Sequence, residues 1–480
     1  MKLPLLVTLL WMSILSVAAQ ATPCGCVQDF DFTVKYLEQN LPAFHEAVRP
    51  KTQRAYTQFK QHLRRALVTD PVPAHCIRYL MRYVSFFHDS HTDISGSPTG
   101  GPPVKESDVV AVAAFQASPL FQTTERVPLL PLKHVSSETI EGRYRTPDST
   151  YTIQIQRNKT PLRDYIGVIV QSRTPLWQLG QVKLELQRNP DGRTFHCYQY
   201  QRNHTLQAQP VVWLEYGRLR NTTWQKVDAP VLPPPAASHA HFRQLDATTA
   251  YLRIPSFGST WTTRLDSLYR YAQPAIEQSQ NLIIDVRDNG GGADQNVEPL
   301  IPFFTSGPFQ DDQQEEYYVT PANIERFTEY LYTLQQDSAQ VGATTLQHTR
   351  QKLAWLRQAP LNQFVPDPAT TGRRFTSPAK ANPKQVVILY NQGCSSSCET
   401  LLFWAKNSTK TMLIGEPSGG YVGYGNVFSV STPCLRFQLN ATTLRLPNQL
   451  QYEGKGVTPT VRLHPEEDWL VQTRRLLKQN

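Results

Sequence analysis

The sequence predicts an α/β protein in three parts: a helical N-terminal region, a β-rich middle and a C-terminal core of alternating strands and helices. Three observations predict it. Apolar residues recur at helical spacing near the N-terminus, as in Phe32, Tyr36, Leu37 and Leu41. Alternation of period two takes over further on, as in Tyr151-Thr152-Ile153-Gln154-Ile155. Short apolar runs followed by Gly- or Ser-rich turns then mark buried parallel strands, as in Leu282–Val286 and Val386–Tyr390. A length of 480 residues suffices for two or three domains with substantial cores.

In chain order, residues 1–21 read as a signal peptide: Lys2, an apolar stretch from Leu5 to Val17, and Ala19-Gln20-Ala21 as the cleavage site. The expectation is an exported protein, periplasmic or extracellular. Residues 22–95 form the helical region, where Tyr56, Phe59, Leu63 and Leu67 and then Ile77, Leu80, Met81 and Val84 keep the helical period. It ends in His88-Asp89-Ser90-His91-Thr92, and residues 96–105 are a linker rich in Ser, Pro and Gly. A β-rich domain, read as a small barrel, spans 106–245 and closes with the Pro-rich run from Pro230 to Pro235. The core spans 246–480. It holds a strand at 251–254, a helix at 262–278, the 282–286 strand, and a helix from about 294. An insertion at about 309–384, helical around 322–357, separates these from the 386–390 strand and a helix at about 396–407. Two strand-like runs at 427–446 and a final helix from about 466 complete it.

Composition narrows the function classes. The net charge of +9 is scattered, without a Lys/Arg stripe, so a nucleic-acid groove is not expected. Beyond the N-terminal segment no stretch approaches the ~20 apolar residues of a membrane span. Seven cysteines leave at least one unpaired or joined to another chain. Cys24 or Cys26 with Cys76 would tie the N-terminal tail to a helix, and Cys394 with Cys398 would brace the loop between them. No metal or other cofactor is expected, because Cys394-x3-Cys398 has no second ligand pair at zinc spacing.

Two loops carry the chemistry: Asn289-Gly290-Gly291-Gly292 and Cys394-Ser395-Ser396-Ser397-Cys398-Glu399, each after a buried strand and before a helix-like stretch. A serine at a helix start, facing a loop of free N–H groups, is the geometry of a nucleophile with an oxyanion hole. Each loop alone also has a bland reading, a tight turn in one case and helix N-capping in the other.

With their surroundings the loops carry a resemblance. Ile284-Asp285-Val286-Arg287-Asp288-Asn289-Gly290-Gly291-Gly292 resembles the I-D-L-R-x-N-x-G-G signature of the C-terminal processing (tail-specific) serine peptidase family. Gly393 to Glu399 is similar to its G-S-A-S-A-S-E nucleophile loop, and Leu413–Gly420 to its V-G-E-P-T-x-G segment. Tyr251–Phe257 resembles the opening strand of its core, and Glu453-Gly454-Lys455-Gly456-Val457-Thr458-Pro459 its closing E-x-x-G-V-x-P. The resemblance implies an α/β catalytic core of the tail-specific protease (ClpP/crotonase-like) type, acting on a protein or peptide substrate. It implies Ser396 as nucleophile, with Ser395 and Ser397 as alternatives, and the N–H groups of Gly291 and Ser397 as the oxyanion hole. Many members carry a PDZ domain in the middle region; no clear PDZ carboxylate-binding loop is found between 106 and 245.

The general base divides two branches of that family. One uses a Ser–Lys dyad, but Tyr421 stands where its lysine would be, and a phenol with a pKa near 10 is a poor base. The tricorn-core-like branch uses Ser, His, Ser and Glu, and Ser90-His91 and Glu453 resemble that set. This implies His91 as general base, with Ser90 and Glu453 holding it; the bland alternatives are a helix cap or a His88/His91 metal pair. The function so implied is an exported serine endopeptidase working through an acyl-enzyme. The rival is a catalytically inactive ligand- or peptide-binding protein on the same scaffold, since a fold does not fix a function.

Overall fold

The computed structural model describes residues 24–70, 75–96, 103–133, 135–229, 236–336, 341 and 343–479. The expected signal peptide lies outside the described residues, as do most of the expected linker at 96–105 and all of the Pro230–Pro235 run.

The core is a six-stranded sheet in the order His241–Gln244, Thr249–Arg253, Asn281–Asp285, Gln385–Tyr390, Thr411–Gly415 and Val461–Arg462. All neighbours are parallel except the first pair. Both faces are covered, which is why these strands read as unbroken apolar runs. Leu252, Ile284 and Ile388 face one cluster with Leu265 and Ile276 of the helix Thr262–Gln278. Ile283, Val387 and Ile414 face another with Trp469 and Leu477 of the last helix, Trp469–Gln479. The core sheet begins earlier than expected, because His241–Gln244 pairs back onto Thr249–Arg253. The helix expected from about 294 is broken into two 3-10 turns, Asp294–Asn296 and Glu298–Leu300, and the short helix Ile301–Phe304. Pro299 and Pro302 lack the N–H that a continuous helix needs.

A second sheet decides how the site is assembled. Its strand Gln438–Arg445 pairs on one side with Tyr424–Ser431, and on the other with Asp93–Ser95 and Glu316–Val319. Gln363–Pro366 adds the edge. The insertion is therefore woven into the core, and so is the chain that follows His91: Asp93 sits opposite Asn440.

The middle region is a closed barrel of eight strands running from Gly142–Arg145 to Gln225–Lys226, with Ile153, Ile155, Leu184, Leu186 and Val212 inside. The N-terminal helices Cys26–Asn40, Gln53–Thr69 and Cys76–Val84 pack on Phe437, Leu439 and Ala441 of the second sheet and on Tyr198 and Leu206 of the barrel. Disulfides join Cys24 to Cys434, Cys26 to Cys76, and Cys394 to Cys398. Cys197 remains a buried free thiol. The Cys24–Cys434 bond is a pairing that the sequence reading did not foresee.

Candidate active site

The Gly-rich loop is shaped by a side chain that precedes it. The strand Asn281–Asp285 ends on a buried carboxylate, which takes the Tyr251 hydroxyl at 2.8 Å and the Arg287 guanidinium at 2.6 Å. Asn289 then donates from Nδ2 to Ile254 O at 3.0 Å and accepts the Gly291 N–H at 2.9 Å. Gly291 has φ +91°, and a Cβ there would lie 2.4 Å from Ser395 O and 2.8 Å from Ser397 N. Only glycine allows the two loops to close on each other.

The serine loop is held from both ends. Asn391 accepts the Asp288 N–H at 2.8 Å and the Gly393 N–H at 3.1 Å, and the Ser395 N–H donates to Asn289 O at 3.0 Å. The Cys394–Cys398 disulfide spans the turn. At its apex Ser396 has φ +56° and ψ −125°, just before the helix Ser397–Ala405. A non-glycine residue rarely adopts such a backbone, and strain of this kind costs ~1–3 kcal/mol unless its surroundings impose it.

Those surroundings centre on Glu399. Its fully buried carboxylate takes the N–H groups of Ser396 at 3.1 Å and Tyr421 at 2.8 Å on one oxygen. The other oxygen takes the Gly420 N–H at 2.9 Å and the Ser418 hydroxyl. Burial raises its pKa, while these donors pull it down. The Glu half of a capping box (Ser396-x-x-Glu399) is thus present in the sequence, although the sequence reading gave Glu399 no role.

The three serines differ in their surroundings. The Ser397 hydroxyl lies by the Asp294 carboxyl and lowers its pKa, which burial pushes up to about 6. The Ser395 hydroxyl lies against Gly419, where an added Cβ would come within 2.4 Å of it. The Ser396 hydroxyl is half-buried at the helix start, on the N-cap side of the capping box that Glu399 completes. The Ser397 N–H, in the first turn of that helix, points into the same space beside Gly291.

The second half of the site arrives from three remote segments. Glu453 accepts the Ser90 N–H at 2.8 Å on one oxygen, and the Val422 and Gly423 N–H groups at 3.0 and 2.7 Å on the other. Burial and the nearby Asp89 charge push its pKa up to about 8, against the Ser90 hydroxyl and these N–H groups. Asp89 in turn accepts the His91 N–H at 3.0 Å and the hydroxyls of Thr92 and Thr442 at 2.6 and 2.7 Å. The His91 ring stands edge-on to Tyr421, with centroids 5.2 Å apart. Burial lowers the His91 pKa against the pull of Asp89, and its Nδ1 is buried without a hydrogen bond. The Arg193 guanidinium of the barrel donates to Gly454 O at 3.0 Å, bracing the Glu453 loop.

The structure therefore brings Ser90 and Glu453 into direct hydrogen bonding. It brings His91 onto Tyr421, whose N–H shares one Glu399 oxygen with the N–H of Ser396. No hydrogen bond joins Ser396 to His91 among the described residues. The Gly291 N–H, expected to face an oxyanion, is held by Asn289 instead. A cavity of about 280 Å³ lies behind Ser90, Tyr421 and Glu453, walled by Asp93 and by Asp191 of the barrel. Among the described residues no group of three or more His, Cys, Asp or Glu side chains could hold a metal ion.

Residues 248–463 match the model of a family described as Peptidase family S41. This core belongs to peptidase family S41. The S41 core is that of a serine-type peptidase, whose substrates are proteins or peptides. No curated protein is a significant match by sequence. Among solved structures, mature CPAF complexed with lactacystin is 12% identical with a TM-score of 0.48, over 95% of this chain and 98% of that one. The photosystem II D1 C-terminal processing protease is 13% identical with a TM-score of 0.35, over 93% and 94%. The tricorn protease is 13% identical with a TM-score of 0.37, over 95% of this chain and 37% of that one. No helix among the described residues is long and apolar enough to cross a membrane.

Proposed function

We propose that this protein is an exported serine endopeptidase that works through an acyl-enzyme on Ser396, with His91 as general base. The observation that carries the reading is the strained backbone of Ser396, which sets its hydroxyl at a helix start beside the Ser397 N–H and Gly291. In this reading Ser396 Oγ attacks the substrate carbonyl carbon and its proton passes to His91, kept neutral by burial. The oxyanion is stabilised by the Ser397 N–H and the positive end of the helix. The Gly291 N–H joins them by sharing or leaving Asn289. Collapse expels the amine, which takes the proton from His91, and water then cleaves the ester by the same route. Ser90 and Glu453 hold the segment that presents His91, in the manner of the Ser/His/Ser/Glu branch. A resting serine–histidine hydrogen bond is not required, because such bonds often tighten only when substrate binds. Export is supported by three disulfides, one of them in the nucleophile loop, since disulfides persist in oxidising compartments.

Incubation with a serine-reactive fluorophosphonate tests the reading. Mass spectrometry should place one adduct on Ser396, with none in Ser396→Ala. A folded wild-type protein that stays unlabelled would favour the binding-protein alternative.

A further inference from the structure

The barrel leans on the core beside each half of the site. Arg193 holds Gly454 O on the Glu453 side. On the serine side, the hairpin between the barrel strands Leu206–Glu215 and Arg218–Arg220 turns in two residues, Tyr216 and Gly217, with φ +47° and +78°. Two-residue turns of this hand favour Asn and Gly, so a tyrosine at the first position needs a contact to offset its conformational cost. Its hydroxyl donates to the Glu416 carboxylate, in the Leu413–Gly420 segment whose Gly419 N–H reaches Cys394 O at 2.8 Å. With the hairpin seated there, Arg220 reaches the Gly-rich loop. Its Nη2 donates to Asp288 Oδ1 at 2.8 Å. Its Nη1 lies 3.3 Å from Glu215 Oε2, and its guanidinium 6.0 Å from the ring centre of its cross-strand neighbour Trp213. The planar fork is thus oriented by the barrel, and one nitrogen is presented to the core.

Asp288 is the joint between the two loops. Its φ of +57° is a left-handed backbone that Asp and Asn adopt more readily than other non-glycine residues. Its N–H donates to Asn391 Oδ1 at 2.8 Å, and its Oδ1 accepts Asn391 Nδ2 at 3.0 Å. Gly393 passes so close that a Cβ there would lie 2.7 Å from Asp288 Cα. Asp288 and Asn391 therefore clasp the Gly-rich and serine loops at their roots, and Gly291 and Ser396 ride on the two arms. Arg220 adds a cation to the clasp and fixes which way the Asp288 carboxylate turns. The two side chains are 25% and 32% exposed, and ion pairs so open to water add little to global stability. The leverage of the pair is local. A carboxylate free to rotate would loosen Asn391 and let the loops drift, and a shift of ~1 Å between reacting groups can cost ~10²-fold in rate.

We propose that Arg220 is a positioning residue for peptide hydrolysis, holding the Gly291 and Ser396 loops in register from the barrel through Asp288. The proposal rests on Ser396 being the nucleophile, but not on the role of His91. The test compares the full-length wild type with Arg220→Met, Arg220→Lys, Asp288→Asn and the double variant Arg220→Met/Asp288→Asn. Arg220→Met should lower kcat and the rate of fluorophosphonate labelling about tenfold, with KM changed less than about twofold. Its melting temperature should stay within about 2 °C of the wild type. Hydrogen exchange read by mass spectrometry should quicken at least about fivefold at 286–292 and 391–397, while the barrel and N-terminal helices keep their protection. Arg220→Lys should recover part of the rate. Asp288→Asn keeps an oxygen for Asn391 but loses the charge; it should reproduce the loss and serves if the methionine protein does not fold. The double variant should be no slower than the slower single one, because both act through one contact. Unchanged kcat and labelling in a folded Arg220→Met or Asp288→Asn, or exchange quickened equally throughout the chain, would overturn the proposal alone. An unlabelled wild type would sink the Ser396 reading and this proposal with it, so the two failures are distinguishable.

Discussion

The two halves of the site are built on different principles. The nucleophile half comes from adjacent strands of one parallel sheet, and its two loops are interlocked by backbone hydrogen bonds, a disulfide and the Glu399 carboxylate. The base half is gathered from residues 89–93, 421–423 and 453, with one carboxylate, Glu453, bridging them. Each half thus has a buried glutamate as its fastener, but Glu399 ties the serine turn to the nearby 418–421 segment while Glu453 reaches across the chain to Ser90. The strained element needs the rigid setting, whereas the base half has fewer bonds and an unsatisfied imidazole. On the proposed reading the nucleophile would be pre-set, and the base would be the part able to adjust when substrate arrives.

The largest test of this contrast removes one member from each half. Ser396→Ala and His91→Ala should each lower kcat/KM by about 10⁴-fold or more, and the double variant should lie no lower than the worse single one. Additive losses in casein or peptide hydrolysis would show that the halves do not act as one unit. Next, Glu453→Gln should cost roughly 10²-fold in kcat/KM, with slower fluorophosphonate labelling of Ser396 and some loss of thermal stability, because its amide nitrogen cannot accept the backbone N–H groups that both Glu453 oxygens now take. Glu399→Gln should act mainly on stability, because its amide nitrogen cannot accept from the N–H groups that now share those oxygens. A loss of about 1–3 kcal/mol in denaturant midpoints is expected, together with slower labelling. Replacing Cys394 and Cys398 with alanine should lower kcat about tenfold, or ~1.4 kcal/mol of barrier. An unchanged kcat would show that Glu399 and Asn391 hold the loop without the disulfide.

The smallest effect is in pH dependence. The folded pKa of Glu453 lies above its ordinary 4.5, at about 8. The native state therefore holds a proton that the unfolded chain gives up between those values, and stability falls as pH rises through that window. Relative to Glu453→Gln, the wild-type melting temperature should decline between pH ~5 and ~8 and then level off. Parallel curves would mean that the three backbone N–H donors outweigh burial and keep Glu453 ionised.

How much of this was legible in the sequence follows from the kind of constraint involved. Gly291 and the Ser396 loop were legible because a left-handed backbone and a close approach of two chains admit few residue types. The parallel strands were legible because burial on both faces leaves unbroken apolar runs. The helix expected from about 294 is instead a run of short turns, because Pro299 and Pro302 interrupt the backbone hydrogen bonding that one continuous helix needs. His91 left no local signature of its own. Its position comes from Asp93–Ser95 pairing with Gln438–Asn440, a contact over more than three hundred residues that no periodicity encodes, so only a family resemblance pointed to it. The Gly291 N–H was expected to be free. The asparagine that captures it two residues earlier is a turn signal in its own right, but it was overshadowed by the glycines.

The Cys24–Cys434 bond links positions 410 residues apart and so makes most of the chain a closed covalent ring. A peptidase in its own company meets its own surface loops as substrates. One cut anywhere in the ring opens it but releases no fragment, and the pieces stay tethered beside the second sheet, where the Asp29 carboxylate also holds the N–H groups of Cys434 and Leu435. Nicked molecules would run as a single species on a gel without reductant and separate only with it. Intactness judged by size under oxidising conditions would therefore conceal a self-cleaved enzyme.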